Sequence, residues 1–146
     1  MPQVDFYILD QADRRSKLQF ACRLVQKIRG LDLKVMVQTS DSNQSAEVDR
    51  LLWTFRQNSF IPHGIIRKGA LTWADYPVQI SHAHHDPDHA DVLVNLREQV
   101  SEEHFKYDRV VELVGGDEAD RASARNRYRS YRDQGVEPKT HRMGQD

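Results

Sequence analysis

The chain has a single cysteine, Cys22, among its 146 residues, so it cannot form an internal disulfide. That excludes the small disulfide-stapled folds of secreted proteins, and we expect Cys22 to be a small core residue in a reducing compartment. The first residues lack the basic and apolar stretches of a signal peptide, and no run approaches the ~20 apolar residues of a membrane span. The sequence therefore predicts a soluble, cytoplasmic protein.

Excess charge and phosphate-binding glycine motifs are also missing. The formal net charge is only -1, which excludes a general DNA-coating protein because such proteins need a broad positive surface. The turn after the first apolar run, Leu9-Asp10-Gln11-Ala12-Asp13-Arg14, has no glycine, and neither a dinucleotide fingerprint nor a P-loop occurs. Gly115-Gly116 remains as a candidate phosphate turn, although a flexible strand exit explains it equally well. We expect no cofactor.

Strand and helix patterns alternate along most of the chain. Val4 to Leu9 is typical of a short buried strand. Over 15–29 apolar residues then follow at helical spacing, at positions 18, 21, 22, 25 and 28. Further strands are expected at 34–38, 77–81, 91–95 and 109–114, with helices at 43–56 and after 116. The alternation predicts an α/β, Rossmann-like fold, a mostly parallel sheet with helices on both faces and no nucleotide-binding motif. We expect one domain over 1–135 and a loosely ordered tail over 136–146.

Arginine is concentrated near the end of the chain. Five arginines lie between positions 121 and 132, with no acidic residue among them. In a helix, four of these arginines share one face with a tyrosine, as follows: Arg121, Arg125, Arg129 and Arg132, with Tyr128. A charge run is often only a solvated face, yet solvated faces usually mix signs. Because guanidinium groups fork onto carboxylate and phosphate oxygens, the stripe predicts a site for an acidic ligand.

A histidine cluster occupies the segment His82-Ala83-His84-His85-Asp86-Pro87-Asp88-His89. Its imidazoles and carboxylates are groups that transition metals accept. It is similar to the H-x-H-x-D-H zinc motif of metallo-β-lactamase-like hydrolases, but Pro87 stands where that motif has its last histidine. Polar clusters with proline between strands are more often exposed loops. A metal-dependent hydrolase using His82, His84, Asp86 and His89 is therefore the alternative function, and no metal site is assigned.

Aromatic residues around positions 53 to 62 do not all fit the core. In the helix expected at 43–56 the core stripe is 48, 51, 52 and 55, which leaves Trp53 facing outward. Phe60 and Pro62 follow within a few residues and can lie beside Trp53. Either Trp53 covers a neighbour while Phe60 tucks under the helix, or these side chains form an exposed apolar patch. Such patches on soluble proteins mark partner surfaces.

Taken together, the aromatic patch and the tyrosine-arginine helix resemble one family, the chi subunit of bacterial DNA polymerase III. The resemblance is carried by Phe6-Tyr7-Ile8-Leu9-Asp10, Leu52-Trp53, Ser59-Phe60-Ile61-Pro62-His63, and Arg125-Asn126-Arg127-Tyr128-Arg129-Ser130-Tyr131-Arg132 followed by Gly135. These segments span nearly the whole chain, and the match is weakest over the histidine cluster.

The resemblance implies a noncatalytic accessory subunit of the DNA polymerase III holoenzyme clamp-loader complex, acting in DNA replication. It implies a heterodimer with the psi subunit, which links the protein indirectly to the clamp loader, and binding to the acidic C-terminal tail of single-stranded DNA-binding protein. The psi-binding positions are Trp53, Phe60, Pro62 and His63. The tail-binding positions are Val114, Arg121, Arg125, Tyr128 and Arg129. Little direct nucleic-acid binding and no membrane association are expected.

Overall fold

The computed structural model describes residues 2–10, 13–54, 61–67, 70–83 and 90–143. The three helices in these residues are α1 (Arg14–Arg29), α2 (Ser42–Thr54) and α3 (Glu118–Asp133). The strands are β1 (Gln3–Leu9), β2 (Val35–Gln38), β3 (His63–Ile65), β4 (Val78–Ser81), β5 (Val92–Asn95), β6 (Arg109–Val114) and β7 (Lys139–Met143). A short 3₁₀ helix, His104–Lys106, precedes β6.

The seven strands form one sheet in the order β3-β4-β2-β5-β6-β1-β7, within the described part of the chain. Every recorded pairing in this sheet is parallel. The central strands β2, β4 and β5 are buried along their whole length, as expected for a parallel sheet covered by helices. The predicted α/β, Rossmann-like fold is therefore confirmed.

Helices cover both faces of the sheet. One core cluster joins α1 and α2 to alternate strand residues such as Val35 and Val37, and the other joins α3 to the residues between them, such as Met36 and Leu93. Successive side chains of a strand point to opposite faces, so adjacent residues of one strand enter different cores. This confirms the predicted arrangement of helices.

The first helix follows its sequence pattern closely. The Asp13 carboxylate accepts a hydrogen bond from the Ser16 backbone N–H at 2.8 Å, which caps the helix N-terminus. Its buried residues are Leu18, Ala21, Cys22, Val25 and Ile28. Burial raises the pKa of the Cys22 thiol to about 12, so this side chain is an unreactive core residue, as predicted.

Two elements differ from the sequence-based expectation. The expected loose tail is wrong over Lys139–Met143, because these residues form β7 beside β1. Gly135 ends α3 with φ 85°, a left-handed conformation that suits glycine, and turns the chain back towards the sheet. The other difference is β3, a three-residue strand in a segment where no strand is expected. Neither strand carries a long apolar run, and both lie at sheet edges.

Candidate functional site

A cavity of about 360 Å³ lies between α3 and the strands β6, β1 and β7. It is lined by Phe6, Ile8, Asp10, Val114, Arg121, Ala124, Arg125, Tyr128, Thr140 and Arg142. Four of the five predicted tail-binding residues, Val114, Arg121, Arg125 and Tyr128, therefore line one cavity, which we call the α3 cavity. Arg129 is exposed and does not belong to the lining.

Strand register builds the floor of the α3 cavity. Val114 on β6 is aligned with Ile8 on β1, and Ile8 is aligned with Arg142 on β7. Residues aligned across a parallel sheet point to the same face, so these side chains form one row that runs from apolar to charged. Phe6 and Thr140 form the neighbouring row. The floor is thus apolar below α3 and polar at the sheet edge.

The third helix supplies the wall of the α3 cavity. Asp117 caps it by accepting a hydrogen bond from the Asp120 backbone N–H at 2.7 Å. One turn apart, Ala124 and Tyr128 face the floor, and the Tyr128 ring lies 5.5 Å from the Phe6 ring. An apolar hollow walled by a half-buried tyrosine is a suitable environment for another aromatic ring.

The charge around the α3 cavity is less exclusively positive than the sequence indicates. Arg125 Nη2 lies 2.9 Å from Glu118 Oε1, two turns earlier on the same helix. These side chains are 61% and 77% exposed, so the ion pair is a weak one that a ligand carboxylate can replace. The absence of acidic residues within the run does not leave Arg125 unpaired, because Glu118, which lies outside the run, pairs with it.

Arg127, one of the five clustered arginines, points the opposite way. Its side chain is 3% exposed and its Nε donates to Glu112 Oε1 at 2.9 Å. Arg127 also donates to the carbonyl oxygens of Glu98 and Leu113. It is therefore a core residue that attaches α3 to β6, and it does not contribute to the basic surface.

Glu112 is the centre of this buried network. It accepts hydrogen bonds from the Asn95 amide, the Arg127 guanidinium and the Tyr131 hydroxyl. Burial raises the pKa of Glu112, while Arg127 and the other donors oppose that shift. Burial and the neighbouring Glu112 raise the pKa of Tyr131, so its hydroxyl keeps its proton and donates. Sequence reasoning missed this network, since alternation alone does not mark a glutamate in a buried strand.

A second candidate surface surrounds Trp53, beside the edge strand β3. Trp53 is 55% exposed, as predicted, and its ring lies 4.9 Å from the His63 ring. His63 is buried, with Nδ1 2.6 Å from the Ile61 carbonyl oxygen and Nε2 3.1 Å from the Asp49 carboxylate. His63 therefore supports Trp53 from beneath. Pro62 is half-buried. Phe60, the fourth predicted psi-binding residue, lies outside the described residues.

Comparison with known proteins identifies the family. A family model described as "DNA polymerase III chi subunit, HolC" matches residues 1–139. The chain belongs to this family. It is 36% identical over 143 residues to DNA polymerase III subunit chi of Pseudomonas aeruginosa, covering 98% of each chain. It is 29% identical over 140 residues to the subunit of Haemophilus influenzae (95% of this chain, 96% of the relative), and 27% over 137 residues to that of Escherichia coli (90% and 92%).

As a chi-family protein, the chain is a subunit of DNA polymerase III that acts in DNA replication, which fits the expectation of a noncatalytic accessory protein. Neither the family description nor the names of these relatives mention a hydrolase, so the alternative function gains no support. Of its four residues only His82 is described, and it is exposed; His84, Asp86 and His89 lie outside the described residues. Across the described ranges, no cluster of three or more His, Cys, Asp or Glu residues is arranged to hold a metal.

The crevice at the carboxyl ends of the strands, where doubly wound sheets bind nucleotides, has a volume of about 340 Å³ in this chi-family protein. Three helices begin there, and each N-terminus is capped by its own aspartate: Asp13, Asp41 and Asp117. The Gly115 backbone N–H donates to the Asp120 carboxylate. Phosphate oxygens would have to displace these carboxylates, so the candidate phosphate turn at Gly115-Gly116 is already occupied.

No helix among the described residues combines the length and the apolar character that crossing a bilayer requires.

Proposed function

We propose that this chi-family protein is the adaptor that joins coated single-stranded DNA to the clamp loader in the cytoplasm. It would bind the acidic C-terminal tail of single-stranded DNA-binding protein through the α3 cavity, and the psi subunit through the Trp53 surface. The observation that carries the proposal is the α3 cavity itself, in which an apolar floor and wall lie directly beside Arg121 and Arg125.

The chemistry of an acidic tail ending in Pro-Phe is complementary to this cavity. The terminal ring would enter the hollow between Val114 and Tyr128, where it gains apolar contact on two sides. The terminal carboxylate would take the place of Glu118 on Arg125, exchanging one exposed ion pair for another. Upstream aspartates would be attracted by Arg121, and by Arg129 at longer range.

Magnitudes separate anchoring groups from steering groups. Burying a phenylalanine side chain contributes about 1.5–3 kcal/mol, whereas an exposed ion pair contributes about 0.2–1 kcal/mol. The ring and the carboxylate would therefore anchor the tail, and the outer arginines would mainly speed encounter. After the cost of ordering the peptide we expect roughly micromolar affinity that weakens with salt. Many such tails on one coated strand would give avidity without a permanent clamp.

The psi proposal is supported by the exposure of Trp53. A large aromatic side chain that is 55% exposed, yet held in place by the buried ring of His63, is preorganised for a partner. In this proposal Trp53 and Pro62 make the contact and His63 fixes their position. Psi would then connect the adaptor to the clamp loader.

A peptide titration tests the tail proposal. A fluorescent acidic peptide ending in Pro-Phe is titrated with the wild type, Arg125→Ala and Arg132→Ala, and again with its terminus amidated. We expect Arg125→Ala to weaken binding up to about fivefold, as for an exposed ion pair, and amidation to reproduce that loss. Arg132→Ala removes the same charge from the same helix outside the α3 cavity, and it should bind like the wild type. Equal affinities of wild type and Arg125→Ala would refute the site.

Co-purification with a psi chain tests the second surface. Trp53→Ala should abolish pairing while its tail affinity stays that of the wild type, because the two surfaces share no residue. Phe105→Ala is the matched control, since Phe105 is an aromatic residue that is 62% exposed elsewhere on the protein. Retained pairing in Trp53→Ala would remove this assignment and leave the α3 cavity untouched.

A further inference from the structure

The side of the α3 cavity at the sheet edge carries a charge pair that sequence analysis did not single out. Arg142 on β7 and Asp10 after β1 both line the cavity, and Arg142 Nη1 lies 3.5 Å from Asp10 Oδ1. That distance is longer than a hydrogen bond. The Arg142 side chain is 62% exposed, so water and salt screen the attraction. The pair is therefore loosely held.

Strand register gives the distance of this pair from the hollow below α3. Val114, Ile8 and Arg142 are aligned on three neighbouring strands. Adjacent strands lie about 4.8 Å apart, which places Arg142 roughly 10 Å from Val114 along the cavity floor. An extended peptide advances about 3.3–3.6 Å per residue, so this separation corresponds to about three residues.

The electrostatics make Asp10 a competitor for any acidic ligand. Among the described residues that line the α3 cavity, Asp10 alone carries a carboxylate, against three arginines. A peptide carboxylate approaching Arg142 would meet the negative charge of Asp10 and would have to share or replace it. Charge at this edge of the cavity thus favours an acidic side chain only weakly while Asp10 is present.

We propose that Arg142 is a further tail-binding residue, which takes an acidic side chain about three residues before the terminal ring, and that Asp10 restrains binding by competing for Arg142. This inference rests on the proposed tail-binding function. It means that the peptide leaves the hollow towards β7, across the sheet edge. Arginines on both α3 and β7 would then bind its acidic groups.

Peptide variants combined with protein variants test the assignment. Arg142→Ala should weaken binding of the acidic peptide up to about fivefold, as expected for an exposed ion pair, and Arg142→Lys should recover part of it. Replacing the peptide's aspartates by asparagine one at a time should abolish the effect of Arg142→Ala at a single position. Asp10→Asn should tighten binding by a similar factor, because the competing charge is gone.

The control is Arg132→Ala, which removes an equally exposed arginine outside the cavity. Equal losses in Arg142→Ala and Arg132→Ala, or a loss that persists with every asparagine peptide, would overturn the inference. So would unchanged or weaker binding in Asp10→Asn. Each of these results can occur while Arg125→Ala still weakens binding, and then only the role of Arg142 fails. A wild type that does not bind the peptide refutes the proposed function, and the inference with it.

Discussion

Two arginines of helix α3 each pair with a glutamate at the same distance but in different surroundings. Arg127 and Glu112 are 2.9 Å apart and almost wholly buried, with exposed fractions of 3% and 0%. Arg125 and Glu118 are also 2.9 Å apart, yet 61% and 77% exposed. Distance alone therefore says nothing about what an ion pair does. The buried pair holds the helix on the sheet, and the exposed pair covers a site from which it can be displaced.

Solvent explains the difference. In water the attraction between unit charges is strongly weakened, so breaking the Arg125 pair costs little. In the core, losing one partner leaves the other charge without solvation or a counter-charge. The buried face of α3 thus holds the helix on the sheet. This keeps the wall of the α3 cavity in place while the arginines on the exposed face remain available to a ligand.

The largest predicted effect tests this contrast directly. Arg127→Ala should lower the free energy of unfolding by about 3–5 kcal/mol, because it leaves Glu112 buried without its cation. Arg125→Ala should lower it by less than about 1 kcal/mol. Urea denaturation of both variants measures the difference. Comparable losses in the two variants would show that burial does not distinguish the pairs. Replacing Arg127 and Glu112 together by apolar residues should restore much of the stability.

The next effect sharpens the role of the exposed face. Tyr128→Ala should weaken binding of the acidic tail peptide by about tenfold, since one wall of the apolar hollow is lost. Tyr128→Phe keeps the ring and should bind nearly as the wild type does. Isothermal titration of the three proteins decides the question. An intact affinity in Tyr128→Ala would mean that the ring does not enter the hollow.

A smaller effect compares two buried carboxylates. Burial acts to raise the pKa of Asp5, but hydrogen bonds from His141 and Gln3 and the charge of Arg109 outweigh it and lower that pKa from its ordinary value of 3.8. A lowered folded-state pKa contributes stability above the ordinary value and loses it as the pH falls towards the folded-state value. The pKa of Glu112 is raised, so Glu112 contributes stability at low pH and loses that contribution as the pH rises towards its folded-state pKa.

Asp5→Asn should therefore reduce the loss of stability between about pH 5 and about pH 3. Denaturant midpoints of wild type and variant at both pH values measure this loss. The same acid sensitivity in both proteins would show that Asp5 does not hold β7 through its ionised form.

The smallest effect concerns the outer charges. Arg129→Ala should weaken tail binding less than Arg121→Ala, and both by no more than about fivefold, because Arg121 lines the α3 cavity and Arg129 does not. Raising the salt concentration should shrink both differences. Equal effects at every salt concentration would place Arg129 in contact with the peptide.

Much of the fold can be predicted from the sequence because its elements obey periodic rules. The stripe of α1 is buried at every predicted position, and β6 has the predicted bounds of 109–114. Of the predicted stripe in α2, Val48 and Leu52 are buried and Leu51 is half-buried, while Phe55 lies outside the described residues. Edge strands do not obey such rules. Four of the five residues of β7 are polar. The strand is held by pairing with β1 and by His141, whose Nε2 lies 2.8 Å from Asp5 Oδ1.

The candidate site divides along the same line. Arg121, Arg125 and Tyr128 are placed together by helical spacing, which a sequence reveals. Arg127 is also an arginine of the same segment, but the direction of its side chain depends on Glu112, a buried glutamate 15 residues earlier. Arg142 joins the cavity only through strand register.

The amino-acid sequence by itself determined the alternation of strands and helices, the outward position of Trp53 and the gathering of arginines on α3, because these depend on local periodicity. Only the tertiary structure decided which arginine is buried, which is exposed, and that β7 completes the cavity. Those choices depend on partners distant in the chain, and on whether water reaches them.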